Sequence, residues 1–235
     1  MKILDLTFSS PAEDLSCDEA LLDDAEERGG EDVLRFWSPK KYFIVLGYSN
    51  AVREEVLDSA KVPFFRRCSG GGTILQGPGC LNYALILQIR PGGPLDGIRS
   101  TNETVMEKNR AALEKLLKNK VSVRGHTDLT LGAMKFSGNS QRRKRRALLF
   151  HGTFLLDFDL SRIDRTLKIP AKQPAYRQDR GHSSFVTNVN VSAASVKKAL
   201  IEAWGAKGKL EEVPEQRIEV LSEKRYSRDE WNRKF

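Results

Sequence analysis

The sequence predicts an α+β fold, a mixed β-sheet with flanking helices. Three observations carry this. Short apolar runs recur at strand length throughout the chain, while three longer stretches have helical periodicity. The helical stretches are scattered among hairpin-like segments rather than placed after every strand, which disfavours a doubly wound parallel sheet. Between them lies one glycine-rich stretch, Arg66-Arg67-Cys68-Ser69-Gly70-Gly71-Gly72 through Gly79-Cys80-Leu81-Asn82-Tyr83. Apolar runs at Val62 to Phe65 and Ala84 to Ile89 enter and leave it. It therefore reads as strand, loop, short strand, turn, strand.

In chain order, Lys2 to Phe8 alternates apolar and polar residues and reads as a strand. Ser10-Pro11-Ala12-Glu13 is a capping box with proline at the first helical position. The helix runs to about Arg28, with Leu15, Ala20, Leu21, Leu22 and Ala25 as its buried stripe, Cys17 a small core residue, and Gly29-Gly30 as its stop. Asp32 to Trp37 and Tyr42 to Gly47 read as two strands of a hairpin around Ser38-Pro39-Lys40-Lys41. Ala51 to Ala60 reads as a short helix. After the glycine stretch, Ser100-Thr101-Asn102-Glu103 reads as a second capping box for a helix ending near Leu117. Strands follow at Val121 to Arg124, Asp128 to Leu131, Lys135 to Gln141 and Ala147 to Leu156. Residues 160–167 form one or two helical turns. Residues 168–185, rich in Pro, Gln, Arg and Ser, are long for a plain connection and read as a functional loop. Ser192 to Trp204 is the third helix, and the tail ends in short helices.

Composition narrows the function. At 235 residues, 40% of them apolar, the chain suits one large domain with a real core. No apolar run approaches a membrane span, and the N-terminus lacks the apolar region of a signal peptide, so the expected location is cytoplasmic. Three cysteines without a C-x-x-C, and three histidines far apart, argue against a disulfide scaffold and a zinc site. The net charge of +8, concentrated in Arg142-Arg143-Lys144-Arg145-Arg146, favours an acidic partner. That run reads either as a nucleic-acid patch or as a solvated hairpin tip. The interleaved aromatics of a base-stacking platform and any helix-turn-helix pattern are absent, which disfavours nucleic acid.

The chemistry concentrates in four places. Three adjacent glycines give access to positive φ and remove every Cβ from one wall, so consecutive N–H groups can converge on an anion, with two arginines beside them. The loop is not a Walker loop, since Pro78 stands where the lysine belongs, and the Rossmann spacing is missing. Lys135, framed by Met134 and Phe136, can set a fixed charge over a reacting oxygen, or be an ordinary surface lysine. Thr127-Asp128 can serve Mg²⁺ or a ribose, or simply form a turn. His151-Gly152 suggests close approach to the backbone, or a satisfied core histidine.

Together and in order, the glycine stretch, Lys135-Phe136-Ser137-Gly138-Asn139-Ser140-Gln141 and His151-Gly152-Thr153-Phe154-Leu155-Leu156 resemble the lipoate–protein ligase family. The family shares its fold with octanoyltransferases and biotin–protein ligases. The resemblance implies a single biotin/lipoate-ligase-like catalytic domain over 1–235, with about 192–235 as its C-terminal helical part. It implies ATP-dependent activation of lipoate or octanoate to the acyl-adenylate, then transfer to a lysine of an acidic lipoyl-carrier domain. By the same resemblance Arg67 and the Ser69, Gly70, Gly71 and Gly72 backbone would hold the phosphate or acyl carbonyl. Thr73, Leu75 and Gln76 would line the nucleotide, with Asn82, Ser137 and Gly138 beside them. Lys135 would bridge carbonyl and phosphate oxygens. Thr127 and Asp128 would stand near adenine or a Mg²⁺ ion. Trp37, Leu46, Gly47, Tyr48 and Leu81 would form the acyl tunnel, closed by His151 and Gly152, and Arg142 to Arg146 would steer carrier docking.

Two departures stand out: Gln76 replaces a histidine common in relatives, and a full accessory C-terminal domain is not found before Phe235. Either a separate accessory subunit or reduced activity of the chain alone is therefore expected. The competing activity, an octanoyl or lipoyl transferase working through a cysteine thioester, needs a reactive thiol facing Lys135. Residues 121–134 and 157–190, where such transferases carry it, contain no cysteine.

Overall fold

The computed structural model describes all residues, 1–235. In chain order the elements are β1 (Lys2–Asp5), α1 (Pro11–Arg28), β2 (Val33–Trp37), β3 (Phe43–Leu46), α2 (Val52–Glu55), β4 (Phe64–Arg66), β5 (Ile74–Gln76) and β6 (Cys80–Gln88). Then come α3 (Ile98–Leu117), β7 (Val121–Arg124), β8 (Asp128–Leu131), β9 (Met134–Arg143), β10 (Ala147–Leu155), α4 (Ser161–Asp164), α5 (Ala193–Trp204), α6 (Glu215–Leu221) and α7 (Asp229–Asn232). Seven strands form one sheet in the order β1-β2-β6-β10-β9-β8-β7, and three form a second in the order β4-β3-β5. The pairs β1–β2 and β3–β4 are parallel and the rest antiparallel, so the α+β mixed-sheet expectation holds.

The period-two alternation of the strands sorts their side chains onto two covered faces. Leu34, Phe36, Tyr83, Leu85, Leu148 and Phe150 meet Val105, Leu113, Val196 and Leu200 of α3 and α5. On the other face Val33, Ala84, Ile86, Ala147 and Leu149 meet Cys17, Leu21, Leu22 and Ala25 of α1 and Ile218 of α6. The capping box of α1 forms as expected: the Ser10 hydroxyl accepts from the Glu13 N–H, and Glu13 accepts from the Ser10 N–H. The C-terminal segment is tied to the small sheet by Arg66. Its guanidinium donates to the carbonyls of Gly47, Tyr48, Asn50, Trp231 and Asn232.

Three local expectations fail for physical reasons. Residues 32–47 are not a hairpin: β2 joins the large sheet between β1 and β6, and β3 is the centre of the small one. Both strands are buried along their whole length, so each needs cover on both faces, and Pro39 between them has no N–H to offer a ladder. The helix expected from Ala51 is a single turn, Val52–Glu55. Helix α3 begins before Ser100, whose hydroxyl turns back to accept from the Gly97 N–H instead of capping onward.

Candidate functional site

A cavity of about 890 Å³ opens where the small sheet, the β7–β10 half of the large sheet and residues 168–186 meet. Its walls include Arg67, Gly71, Gly72, Thr73, Leu75, Gln76 and Asn82 from the glycine stretch, Thr127 and Asp128 from β8 and its turn, Lys135, Ser137 and Gly138 from β9, and His151 and Gly152 from β10. Of the phosphate, nucleotide and catalytic residues singled out from sequence, only Ser69 and Gly70 fall outside the lining. Ser69 is fully buried behind it, and Gly70 is exposed. An apolar part of the cavity is walled by Leu15, Trp37, Val45 and Ile74. Of the tunnel residues expected from the family resemblance, only Trp37 takes part. Leu46 and Leu81 are core residues of other clusters, Gly47 packs against the carbonyl of Gly71, and Tyr48 lies against Trp231 and Phe235.

The glycine loop is held from behind. Arg67 donates from Nη2 to the carbonyls of Gly70 and Gly72 and from Nε to Ser69 Oγ at 3.0 Å. Burial pulls its guanidinium down to about 10. Its donors are thus largely committed to loop carbonyls, and it acts as scaffold for the loop, not as the free anion clamp expected. The N–H groups of Gly70, Gly71 and Gly72 have no partner within the chain and remain available to an anion. Gly71 sits at φ +88°, a conformation that only glycine adopts readily.

Lys135 Nζ pairs with Asp128 Oδ1 at 2.7 Å, and Tyr176 Oη donates to the other oxygen of Asp128 at 2.7 Å. The ammonium lies over Gly138, 2.8 Å from where a Cβ would stand, so the glycine makes room for the lysine. Its backbone is clamped too: Lys135 N–H donates to Phe185 O, and Thr187 N–H to Lys135 O. Residues 168–186 therefore wall the cavity through a fixed attachment to the very strand that carries Lys135. They add Lys168, Lys172 and Arg177 to its lining. His182 also lines it, with Nδ1 beside Arg177 and Nε2 beside the Lys168 carbonyl. Burial and Arg177 both lower its pKa.

Asp128 does not make a metal centre. Both its oxygens are engaged, and no three ligating side chains converge anywhere in the fold. The residues present do not fit a protein-held Mg²⁺, and no step below is routed through one.

Gln76 and Asn82 form a reciprocal amide pair at 2.8 and 3.1 Å, and Gln76 also donates to Thr153 Oγ at 2.8 Å. This buried triad answers what Gln76 does: it stiffens the short strand that carries the glycine loop back to β6. A second chain of polar contacts runs from Trp204 through Asn109 and Tyr83 to Asn139, which donates to the Thr127 carbonyl. Asn139 Oδ1 occupies the space where a Cβ of Gly152 would be. Gly152→Ala is expected to displace Asn139 and cost about 1–3 kcal/mol, read by urea unfolding. A variant as stable as the parent would contradict this packing.

Sequence reading missed one buried cluster altogether. Arg35 of β2, fully buried, donates to Asp14 at 2.7 Å and to Asp18, both on α1. Asp18 Oδ2 lies 3.0 Å from His151 Nδ1, and His151 Nε2 lies 2.6 Å from Ser69 Oγ, which is 2.9 Å from Ser140 Oγ. The signal was present. Asp14 and Asp18 share the helical stripe of Leu21, Leu22 and Ala25, and an arginine interrupts an apolar strand.

The expected role of the basic run also changes. Arg143 donates to Thr101 and to the Leu95 and Asp96 carbonyls, Lys144 pairs with Asp23 at 2.5 Å, and Arg146 binds the Glu26 and Glu27 carbonyls. Three of its five cations thus tie the β9–β10 tip to α1 and to the start of α3, leaving Arg142 and Arg145 without acidic partners.

Comparison with known proteins adds the following. The profile of the lipoyl protein ligase A/B catalytic domain matches residues 10–205. A protein of Aeropyrum pernix, named as a candidate lipoate-protein ligase A, is 32% identical over 215 residues, covering 89% of this chain and 76% of its own. Lipoate-protein ligase A subunit 1 of Thermoplasma acidophilum is 27% identical over 238 residues, covering 93% and 90%. An octanoyltransferase, LipM of Halalkalibacterium halodurans, is 22% identical over 98% of each chain. Among solved structures, a lipoate-protein ligase A bound with ATP superposes with TM-score 0.84 at 24% identity over 99% of this chain and 98% of its own. A chain from an archaeal bipartite lipoate protein ligase and its E2 lipoyl domain, from Thermoplasma acidophilum, gives 0.82 at 25% identity over 99% and 96%.

Proposed function

Because the chain belongs to the lipoyl protein ligase A/B catalytic domain family, a group that handles lipoate or octanoate, we propose that it is the ATP-dependent ligase, forming the acyl-adenylate and passing the acyl group to a lysine of a lipoyl-carrier domain. The observation that carries this reading is the pairing of a fixed ammonium with a thiol-free cavity. Lys135 is anchored by Asp128 in the same cavity as the glycine loop, and no cysteine lines it. Burial pushes the Cys17 and Cys80 thiols up to about 12 and Cys68 higher still, so none supplies thiolate at neutral pH.

The parts divide the work by chemistry. The apolar wall of Leu15, Trp37, Val45 and Ile74 takes the acyl tail. The unpaired N–H groups of Gly71 and Gly72 meet the charge of the mixed anhydride, and Lys135 lies over its carbonyl and phosphate oxygens. Thr73, Leu75, Gln76, Thr127 and Asp128 border the nucleotide, with Lys168, Lys172 and Arg177 near its phosphates. Enclosure by residues 168–186 keeps water from a reactive anhydride. ATP supplies the adenylyl group that activates the acid, and pyrophosphate is the leaving group.

Residues 1–235 act, on this reading, as a single catalytic domain whose part from about 192 onward braces α1 and β4. The Thermoplasma relative named as subunit 1 supports work alongside a separate accessory subunit. The deciding experiment is pyrophosphate release from ATP with lipoate or with octanoate, followed by acylation of a carrier domain. No release with either acid, while acyl groups still move between carriers, would favour the transferase. Cys68→Ser and Cys80→Ser are expected to keep acylation within about twofold of the parent. A collapse in either variant, with the fold intact, would mark a thioester route.

A further inference from the structure

Resting on the acyl-adenylate reaction proposed above, we infer that Ser140, Ser69, His151 and Asp18 form a proton relay that takes the proton from the attacking carrier amine. The directions of its hydrogen bonds follow from which groups can only donate or only accept. Asp18 is buried against the Arg35 guanidinium and accepts, so His151 carries its proton on Nδ1, 3.0 Å away. His151 Nε2 is then an acceptor, and Ser69 Oγ donates to it at 2.6 Å. Arg67 Nε can only donate and fills one acceptor site of Ser69 at 3.0 Å. The remaining site of Ser69 accepts from Ser140 Oγ at 2.9 Å. Every hydrogen thus points from Ser140, which lines the cavity, towards His151. Ser140 is left with its lone pairs free, an acceptor beside the exposed loop at Gly71, where an added Cβ would stand 3.5 Å from Ser140 Cβ.

An incoming lysine amine needs such an acceptor. Its nitrogen must attack uncharged, and on attack it becomes cationic. In the proposed step the N–C bond forms and the bond from the acyl carbon to the adenylate oxygen breaks. AMP leaves with that oxygen as its phosphate anion. The surplus proton of the new amide passes to Ser140 Oγ as Ser140 hands its own to Ser69, and Ser69 hands its own to His151 Nε2. Atoms and charge balance, with the imidazolium as product, and the relay then points the other way until His151 releases its proton.

The surroundings of His151 suit that product. The charged groups facing it are Asp18 and Asp14 of α1, Arg35 of β2 and Arg67 of the glycine loop. Its ladder neighbours, Ala84 on β6 and Ser140 on β9, are uncharged. The imidazolium that forms keeps the Asp18 carboxylate as its partner, 3.0 Å from Nδ1. Burial pushes Asp14 up to about 7, while for Asp18 the pull of Arg35 and of the His151 bond overcomes burial and keeps it ionised. The other histidines of the cavity are less suited. Both nitrogens of His182 are engaged, and His126 is exposed without a carboxylate partner.

The test is single-turnover transfer from synthetic octanoyl-adenylate to a lipoyl-carrier domain, from about pH 5.5 to about pH 9. The parent rate is expected to rise with pH and then level off. Ser140→Ala and His151→Gln are expected to lower transfer by about 100-fold and to replace the plateau by a continuous rise. The half-exposed Ser140 leaves the fold of its variant secure, so that variant decides even if His151→Gln is unstable. Pyrophosphate release is measured in parallel. A parent that releases none with lipoate or octanoate overturns the adenylate reading. Release together with an unchanged rate and plateau in Ser140→Ala overturns the relay alone.

Discussion

Lys135→Ala is expected to lower acylation of the carrier by about 10²–10³-fold, with little change in stability. The ammonium is part-exposed, with 26% of its side chain accessible, and its partner Asp128 keeps the Tyr176 hydroxyl when the lysine is gone. The fold therefore loses one accessible ion pair, which contributes about 0–1 kcal/mol. On the proposed reading the reaction loses the cation assigned to the carbonyl and phosphate oxygens, where charge builds as the anhydride forms and breaks. Both half-reactions should fall, which separates this variant from a defect in carrier docking alone. Lys135→Arg should not rescue. The amine lies directly over Gly138, and the planar guanidinium fork is too wide for that space. Pyrophosphate release and carrier acylation, measured separately, check this. A loss below about fivefold in both would remove Lys135 from the chemistry.

Arg35→Met carries the largest expected effect on stability, a loss of about 3–5 kcal/mol. The substitution keeps the bulk but leaves Asp14 and Asp18 buried with no cation between them. The cost should depend on pH, and its sign follows from the carboxyls. Without Arg35 both carboxyls titrate higher in the folded chain than in the unfolded one, so the folded state binds more protons as pH falls. The variant should therefore be more stable near pH 5 than near pH 8, by urea unfolding at both. The parent shows a milder form of this through Asp14, which burial already raises to about 7. Equal destabilisation at the two pH values would contradict the buried-charge account. Transfer to the carrier should fall as well, since Asp18 orients His151.

Much of the site is legible because its residue types have few other uses. Three consecutive glycines, a lysine set between apolar and small residues, and a histidine followed by glycine mark places where backbone or ligand must come close. Their pairing across the cavity depends on strand registers, with His151 opposite Ser140 and Gly152 opposite Asn139. Arg67 shows the limit of such reading. Two arginines next to a glycine loop suggest an anion clamp, yet Arg67 turns inward onto the loop's own carbonyls and Arg66 binds the C-terminal segment. An arginine has donors for either use, and only the neighbouring carbonyls decide which it serves. The same holds for the run from Arg142 to Arg146, whose charge is partly met by α1.

By itself the sequence determined the α+β class, most element positions and the segments that carry chemistry. Those depend on local periodicity, capping and backbone freedom, which act over a few residues. The tertiary structure alone decided that β2 and β3 belong to different sheets, that residues 168–186 wall the cavity, and that Asp18, 133 residues before His151, stands against it. Those outcomes depend on which surfaces are buried together, and burial sets the strength of a charge pair or hydrogen bond that no local stretch of chain can specify.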